Sequence, residues 1–583
     1  MSGLSLFLGT VRYLRVRQIY WRIRYGLRRA LGSMKGVSVP EDRAPLEEEA
    51  MVAIRAWAKN LAQYCPPDVA GLQRIRKGQF TYLNHGVRVE AGTFPWQDST
   101  QSRLWQYSLQ YCDFVRDLSL DNASEAWEDD RQCCVAWMLN WIKANPVCTG
   151  VAWEAYPVSV RLMHWSLACS VFQIDNDAIQ NSMAAQLAVL RLSVEYDIGA
   201  NHLIKNGVAL VVAGALVDQD AMKQGMKLLE HEVGEQILPD GGHYERSPFY
   251  HVQVLMDLLY VQAMCEKAPK WLSGATYRMG AALSTMLHPD GDVALFHDAA
   301  LGTWPSPAGV LELCAECCAT SGATMARLTD TGIYRLGPAD GQSVMLMKAG
   351  EAGPAYQLGH AHSDFGSFEL SLRGRRVFVN CGTHGYAESP HRNALRGVAA
   401  HNAAQVSGRK PLQCWSVFRV ARRYAVKSIR WQSSLKGTMV RASHDGYGAY
   451  GHERVIAWVP ETGWWVEDDF EGKGTVAGQS YLHLHPAYRF DAVEGGYGVI
   501  TVDGEREVAR VLVPEGCSVT MTVGQAGEPL ACYHPAFGVQ VPASMLTFSG
   551  RDEHMLHLAY AIVPAGCAAT SYEAVAEAAE VMM

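Results

Sequence analysis

The stretch "TSGATMARLTDTG", residues 320 to 332, divides the chain into two halves with different apolar periods. Before it, apolar residues recur at i, i+3, i+4 and i+7, as one helix face requires. This spacing runs through "EEEAMVAIRAWAKNLAQY" (47–64), "SRLWQYSLQYCDFVRDL" (102–118), "HLIKNGVALVVAGALV" (202–217) and "YHVQVLMDLLYVQAMCEKA" (250–268). The connectors, such as "NPVCTGVAWEAYP" and "LPDGGHYERSP", hold Pro and Gly, so this half reads as an all-helical domain of about ten helices. After the stretch the period becomes two. "SVMLMKA", "SFELSLRGRRVFVN", "RVIAWVPETGWWVEDDF" and "QSYLHLHP" alternate or run β-branched between turn residues, which predicts an antiparallel β-sandwich. The expected division is an arm over 1–45, a helical domain over 46–328 and a sandwich over 329–583, with the junction near 320–335. The fold class is therefore α+β and multidomain.

Charge is informative once it is split. The 583 residues carry a net charge of -8, yet Arg12, Arg15, Arg17, Arg22, Arg24, Arg28, Arg29 and Lys35 put +8 on residues 1–40, which contain no acid. The rest of the chain carries -16. Such a body does not attract nucleic acid through its general field, and an anionic ligand needs a local basic pocket. The arm, "VRYLRVRQIYWRIRYGLRR", suits two readings equally: a helix on an anionic membrane surface, or a cationic helix packed on an acidic body.

No apolar stretch approaches the roughly 20 residues of a membrane span, and "LSLFLG" is short for a secretory signal. The expected location is cytoplasmic or peripheral to the inner membrane, ahead of the periplasm. The 15 cysteines are odd in number and lack framework spacing, which agrees with a reducing compartment. The 16 Trp and 25 Tyr suit sugar-stacking clefts and aromatic cores alike.

Four stretches hold groups with chemistry. "HPDGDVALFHDAALG" offers His288, Asp290, Asp292, His297 and Asp298 without calcium-loop spacing, and reads as a structural turn. "GANHLIKNGVALVVAG" places Asn201 and His202 at a helix mouth, where Asn201 is either a cap or a functional group. "DGGHYERSPFYHV" crowds His243, Tyr244, Glu245, Arg246, Tyr250 and His251 at a helix start. "QLGHAHSDFGSFELSL" (357–372), read as a strand, aims His360, His362 and Asp364 to one face. An Arg-Gly turn then returns Asn380 beside it, and an Arg-rich loop leads to His401. A second pair at the same spacing, His483 and His485, has no neighbouring acid, Asn or Arg and reads as a sheet-face pair.

Taken together, "NHLIKNGVALVVAG", "PDGGHYERSPFYH", "GHAHSDFGSFELSLRGRRVFVNCGTHGY" and "RGVAAHN" resemble, in order, the blocks of heparinase II/III-type polysaccharide lyases. "GVAWEAYPVSVRLMHW" and "LWQYSLQY" resemble the helical half of that family. The likeness covers about residues 50 to 500, and the basic arm resembles those of members found among bacterial exopolysaccharide genes. The resemblance implies an incomplete α/α toroid followed by an antiparallel β-sandwich, with a cleft between them. It implies β-elimination on a uronic-acid polysaccharide, with no organic cofactor. Asn201, with His202 beside it, would hold the uronate carboxylate. Tyr250 would be the acid, with Tyr244 as fallback, and His360 the cleft histidine. Arg246, Tyr386, Arg392, Arg396 and Trp153 would bind the acidic chain. His362, Asn380 and His401 would hold a structural divalent metal, zinc first and calcium second. The chain departs from the family in one place: "DPGT" is replaced by "NCGT", so Asn380 brings no charge to that site. Asp364 is then an alternative ligand, and a metal-free hydrogen-bonded cluster is the other reading. The competing function is a glycan-binding partner in exopolysaccharide assembly, non-catalytic or hydrolytic, attached through the arm.

Overall fold

The computed structural model describes residues 3–30, 45–89, 94–121, 126–318, 324–503 and 506–582. Lys35, the stretch 31–44 of the arm and positions 320–323 of the expected junction lie outside them. Helices fill the first half up to Pro307–Cys318, and strands begin at Arg327–Leu328. One short hairpin, Gln79–Tyr82 with His85–Arg88, interrupts the helices. Its two-residue turn sets Leu83 and Asn84 at φ of 50° and 62°, the left-handed pair that closes tight hairpins.

The helical domain is built around Ala155–Val171 and Asn201–Val217, which are buried on nearly every side. Beyond its first two turns, from residue 207 to 217, the second of these helices is apolar all round, as a central helix is. Its neighbour Gln219–Gln236 approaches closely because Gly207 faces Gly225, where an added Cβ would stand 2.7 Å from the Gly207 carbonyl oxygen.

In the second domain two long strands, Gly463–Leu484 and Ser544–Pro564, pair antiparallel along their lengths. A register shift between Glu471 and Thr475 lets the first strand pair with Gly451–Val459 at one end and Ala404–Val406 at the other. Phe368, Leu370, Phe378, Val440, Ile456, Trp464, Leu482, Phe548 and Ile562 fill the core between the layers. The alternate residues Val455, Ala457, Trp465 and Ala561 face outward and are covered by the helix Tyr572–Glu580. That helix falls outside the strand pattern.

The segment that carries His360, His362 and Asp364 is not a strand. Pairing begins only at Phe368–Leu372, and 357–367 is an irregular run of turns. Gly366 sits at φ 72°, a conformation that ends the extended backbone before His362 is reached. The Arg-Gly turn forms as expected, joining Phe368–Leu372 to Arg375–Phe378 and returning Asn380 to Glu369.

Candidate active site

Two helix starts and three loops meet where the domains face each other. Pro248–Ala263 begins with Ser247 as cap, its Oγ accepting from the Tyr250 N–H at 3.3 Å, and Pro248 in the first turn. Ser247 Oγ also donates to the Asp298 carbonyl at 2.7 Å, tying this helix to the 295–301 loop. Asn201 starts its helix after Ala200, which is held at φ 57°. Arg246 and His297 have φ of 57° and 59°. Three non-glycine residues in left-handed backbone thus flank functional side chains, a cost that only surrounding structure sustains.

Asp298 is the hub. It is fully buried, and each of its oxygens takes one histidine: His360 Nδ1–H donates at 2.9 Å and His362 Nε2–H at 2.8 Å. Arg392 adds a two-pronged pair, its Nη1 on Oδ1 and its Nη2 on Oδ2 at 2.7 Å. Burial alone would raise the Asp298 carboxyl, but the Arg392 guanidinium and the two histidine bonds hold it well below the usual range. An ionised Asp298 only accepts, so His360 carries a proton on Nδ1, and its Nε2 is turned to Glu245 and the cleft.

The rest of the site is arranged around His360. The Tyr250 ring lies 4.0 Å from the His360 ring, and the Tyr250 and Tyr386 hydroxyls are 2.9 Å apart. Burial pushes the Tyr250 hydroxyl well above its ordinary range, and the neighbouring Tyr386 and Asp298 push it further. Phe418 closes the other edge, 5.8 Å from the His360 ring. Glu245 stands 3.7 Å from His360 Nε2 and accepts from the Asn201 side chain at 2.8 Å and its backbone N–H at 3.0 Å. His202 bonds Glu195 at 3.0 Å and leans on Tyr156. Burial works against a charge on His202, but the Glu195 carboxylate outweighs it and raises the pKa above the ordinary 6.5. A cavity of about 290 Å³ continues from Tyr250 and Tyr386 into the helical domain, lined by Tyr111, Tyr156, Trp304 and Phe537.

Asn201, His202, Tyr250, His360 and Tyr386 therefore come together as expected, and five other expectations are corrected. Tyr244 turns away, its ring packed on His243 and Tyr356. Arg246 bonds the Asp330 carbonyl at 3.0 and 3.2 Å. Arg392 is taken by Asp298, and Arg396 is buried on the carbonyls of Leu358, Ala361, Ser416 and Val417. These two arginines hold the segments carrying His360 and Phe418 in place. Trp153 is buried in the helical core, with its indole N–H on the Asn145 carbonyl. Asp298 and Glu245 are the residues that sequence reasoning passed over. The former was read as part of a turn, although "VALFHDAA" sets it in an apolar run where an acid must be paired.

The three residues that the resemblance implies as metal ligands offer imidazole nitrogens and an amide but no carboxylate. His362 uses Nε2 on Asp298; its Nδ1 and both nitrogens of His401 have no partner. Burial lowers both imidazoles, His362 to about 3 and His401 to about 4, so both are neutral. Asn380 Oδ1 accepts from Ser367 Oγ at 2.7 Å and from the Asn402 N–H at 3.1 Å, and its unpartnered atom is the donor Nδ2. Asp364 is occupied by Lys348 Nζ at 2.8 Å and the His297 N–H at 3.0 Å. Among the described residues, ligand atoms of three His, Cys, Asp or Glu side chains converge only at His231, Glu232 and Glu235. Two neutral imidazoles and an amide N–H give a divalent ion no negative partner.

The comparisons with known proteins agree with this architecture. Residues 77–304 match the heparinase II/III N-terminus, and residues 320–572 match the heparinase II/III-like C-terminal domain. A heparin-sulfate lyase of Bacteroides thetaiotaomicron is 23% identical over 430 residues, which are 63% of this chain and 58% of that protein. FtsZ-localized protein C of Caulobacter vibrioides is 25% identical over 244 residues, 40% of this chain and 41% of that protein. The chain thus spans less than two thirds of the length of the curated relatives it matches. The crystal structure of heparinase III superposes with a TM-score of 0.66 at 17% identity, covering 91% of this chain and 87% of that one. A helical domain followed by an antiparallel sheet domain, with both halves matched in order, places this chain in the heparinase II/III family.

Proposed function

We propose that the protein is a polysaccharide lyase that cleaves a uronate polymer, such as an acidic bacterial exopolysaccharide, by β-elimination. The observation that carries this reading is His360: one nitrogen is anchored on ionised Asp298, the other is turned to Glu245 and the cleft, and the Tyr250 ring lies 4.0 Å from its ring. The uronate carboxylate sits against the Asn201 amide and His202 at the mouth of the 201–217 helix, whose dipole favours an anion. Neutralising that carboxylate makes the C5 proton acidic. His360 Nε2 takes the proton, the C4–O4 bond breaks, and the Tyr250 hydroxyl protonates the leaving oxygen. The proton taken up by His360 then passes to the Tyr250 phenolate, directly or through the Tyr386 hydroxyl bonded to it, and both groups are reset. Products are an unsaturated uronate end and a free hydroxyl, with no water consumed.

The charge around the cleft refines the substrate. Arg246, Arg392 and Arg396 are engaged elsewhere, and Lys205 in the aromatic cavity is paired with Asp257 at 2.7 Å. This supports a carboxylated, unsulfated polymer over a heavily sulfated one. Incubation with a panel of sulfated and unsulfated uronate polymers tests it. Ultraviolet absorbance should grow with the unsulfated members; new chain ends without absorbance contradict elimination.

The second reading, glycan binding without turnover, draws support from the similarity to FtsZ-localized protein C, whose name gives a location and not an activity. It expects equal binding by wild type and Tyr250→Phe, and no products from either.

A further inference from the structure

The basic arm is packed inside out. Two helices, Gly3–Val11 and Val16–Ala30, form a strap across both domains. On the sandwich side, Thr10 Oγ1 donates to the Val420 carbonyl, and the Trp415 indole donates to Thr10 at 3.0 Å. Gly9 lies against Ala421, where an added Cβ would be 3.2 Å from the alanine methyl. On the helical side, Gln18 is buried and donates to the Ile198 carbonyl, Trp21 stacks on Tyr196 at 4.7 Å, and Tyr25 bonds the Val194 carbonyl. Arg15 and Arg17 pair with Glu235 and Glu232, which accounts for that acidic cluster without a metal.

The face turned to the body is thus polar and aromatic, at positions 18, 21, 25 and 28. The opposite face is aliphatic and exposed: Val16 (83% exposed), Ile19, Ile23 (59%) and Leu27 (58%), with Tyr20 beside them. These positions fall on one helical stripe. The first helix repeats the pattern, with Leu4, Phe7 and Leu8 exposed together. A helix packed only on its own protein would bury its aliphatic stripe and expose its arginines. Beside the stripe stand Arg12 and Arg24, which have no carboxylate partner among the described residues and lie over Tyr13 and Trp21 of the arm itself.

We infer that the outward face of the strap docks on an anionic phospholipid surface, the aliphatic stripe entering the headgroup boundary and the arginines meeting lipid phosphates. Charge complementarity selects this occupant: a cationic rim around an aliphatic stripe is what an acidic bilayer takes, and the acidic body of a second copy would meet only the rim. The strap bonds residues 415–420, the segment that sets Phe418 against His360, so docking would orient the cleft relative to the bilayer.

Co-sedimentation of the full chain with phosphatidylglycerol–phosphatidylcholine vesicles and with phosphatidylcholine alone tests this. The wild type is expected to bind the anionic vesicles at least about tenfold better, with loss of binding at high salt. Ile23→Asp with Leu27→Asp should reduce binding at least about tenfold while leaving the melting curve unchanged. Absence of wild-type binding, or equal binding by the double variant, overturns the inference. So does a lipid-independent dimer, seen by sedimentation velocity, that the double variant dissociates; a second copy would then be what covers the stripe.

Discussion

His360 and His362 share the carboxylate of Asp298, one oxygen each. His483 and His485 have the same spacing and share no partner: His483 is buried on the Ala399 carbonyl beside Cys381, and His485 packs on the Tyr533 ring. The second pair sits at and just past the end of a long strand, where alternation sends neighbours one apart to the same face and backbone bonding fixes them. The first lies in an irregular segment that an acid from the helical domain, Asp298, draws together. Spacing alone therefore says little. A buried, ionised carboxylate that fixes one tautomer turns a histidine pair into a base and its support.

Substitutions that break this contrast differ in size. His360→Asn removes the base and should lower kcat by about 10²- to 10⁴-fold, while His485→Asn leaves steady-state rates within about twofold; equal losses would erase the distinction. Asp298→Ala leaves Arg392 buried without its counter-charge and should cost about 3–5 kcal/mol in chemical denaturation. His483→Ala, which loses one hydrogen bond to a carbonyl, should cost about 1 kcal/mol beyond its packing. A reversed order would show that Asp298 is not the hub.

A pH series sharpens the point further. The folded pKa of Asp298 is depressed, so its contribution to stability is complete above its unfolded value near 4 and fades as pH falls toward the folded value. The stability gap between wild type and Asp298→Asn should be constant above about pH 5 and narrow below about pH 4. A gap that stays constant into acid would mean that the carboxylate is not held ionised. The smallest effect expected is that of chelation. A bound divalent ion would add its binding free energy to stability, so with His362, Asn380 and His401 lacking a negative ligand, prolonged EDTA dialysis should leave the melting temperature unchanged. A fall, restored by zinc or calcium, would show that the amide of Asn380 turns to ligate.

Much of this was legible before the fold was seen. The change of apolar period around 320–332 separates the helical and antiparallel halves, and the blocks around Asn201, Tyr250 and His360 name the residues that converge. The roles of the arginines were not legible. Arg392 and Arg396 lie in a polar loop that looks solvent-facing, and only the fold shows a carboxylate and four carbonyls surrounding them. Asp298 was hidden because Gly and Asp around it mimic a turn, and its partners come from residues 62 to 94 positions away. The strand expected over 357–367 failed because its Gly, Ser and Asp favour turns, yet His360 and His362 still meet, brought together by Asp298 and not by pleat.

The most direct test of the central claim is the fate of solvent oxygen. Digestion of a responsive uronate polymer in heavy-oxygen water, followed by mass spectrometry of the fragments, separates elimination from hydrolysis. The account predicts unsaturated fragments without label from the wild type and none from Tyr250→Phe. Fragments that each gain one labelled oxygen would contradict it.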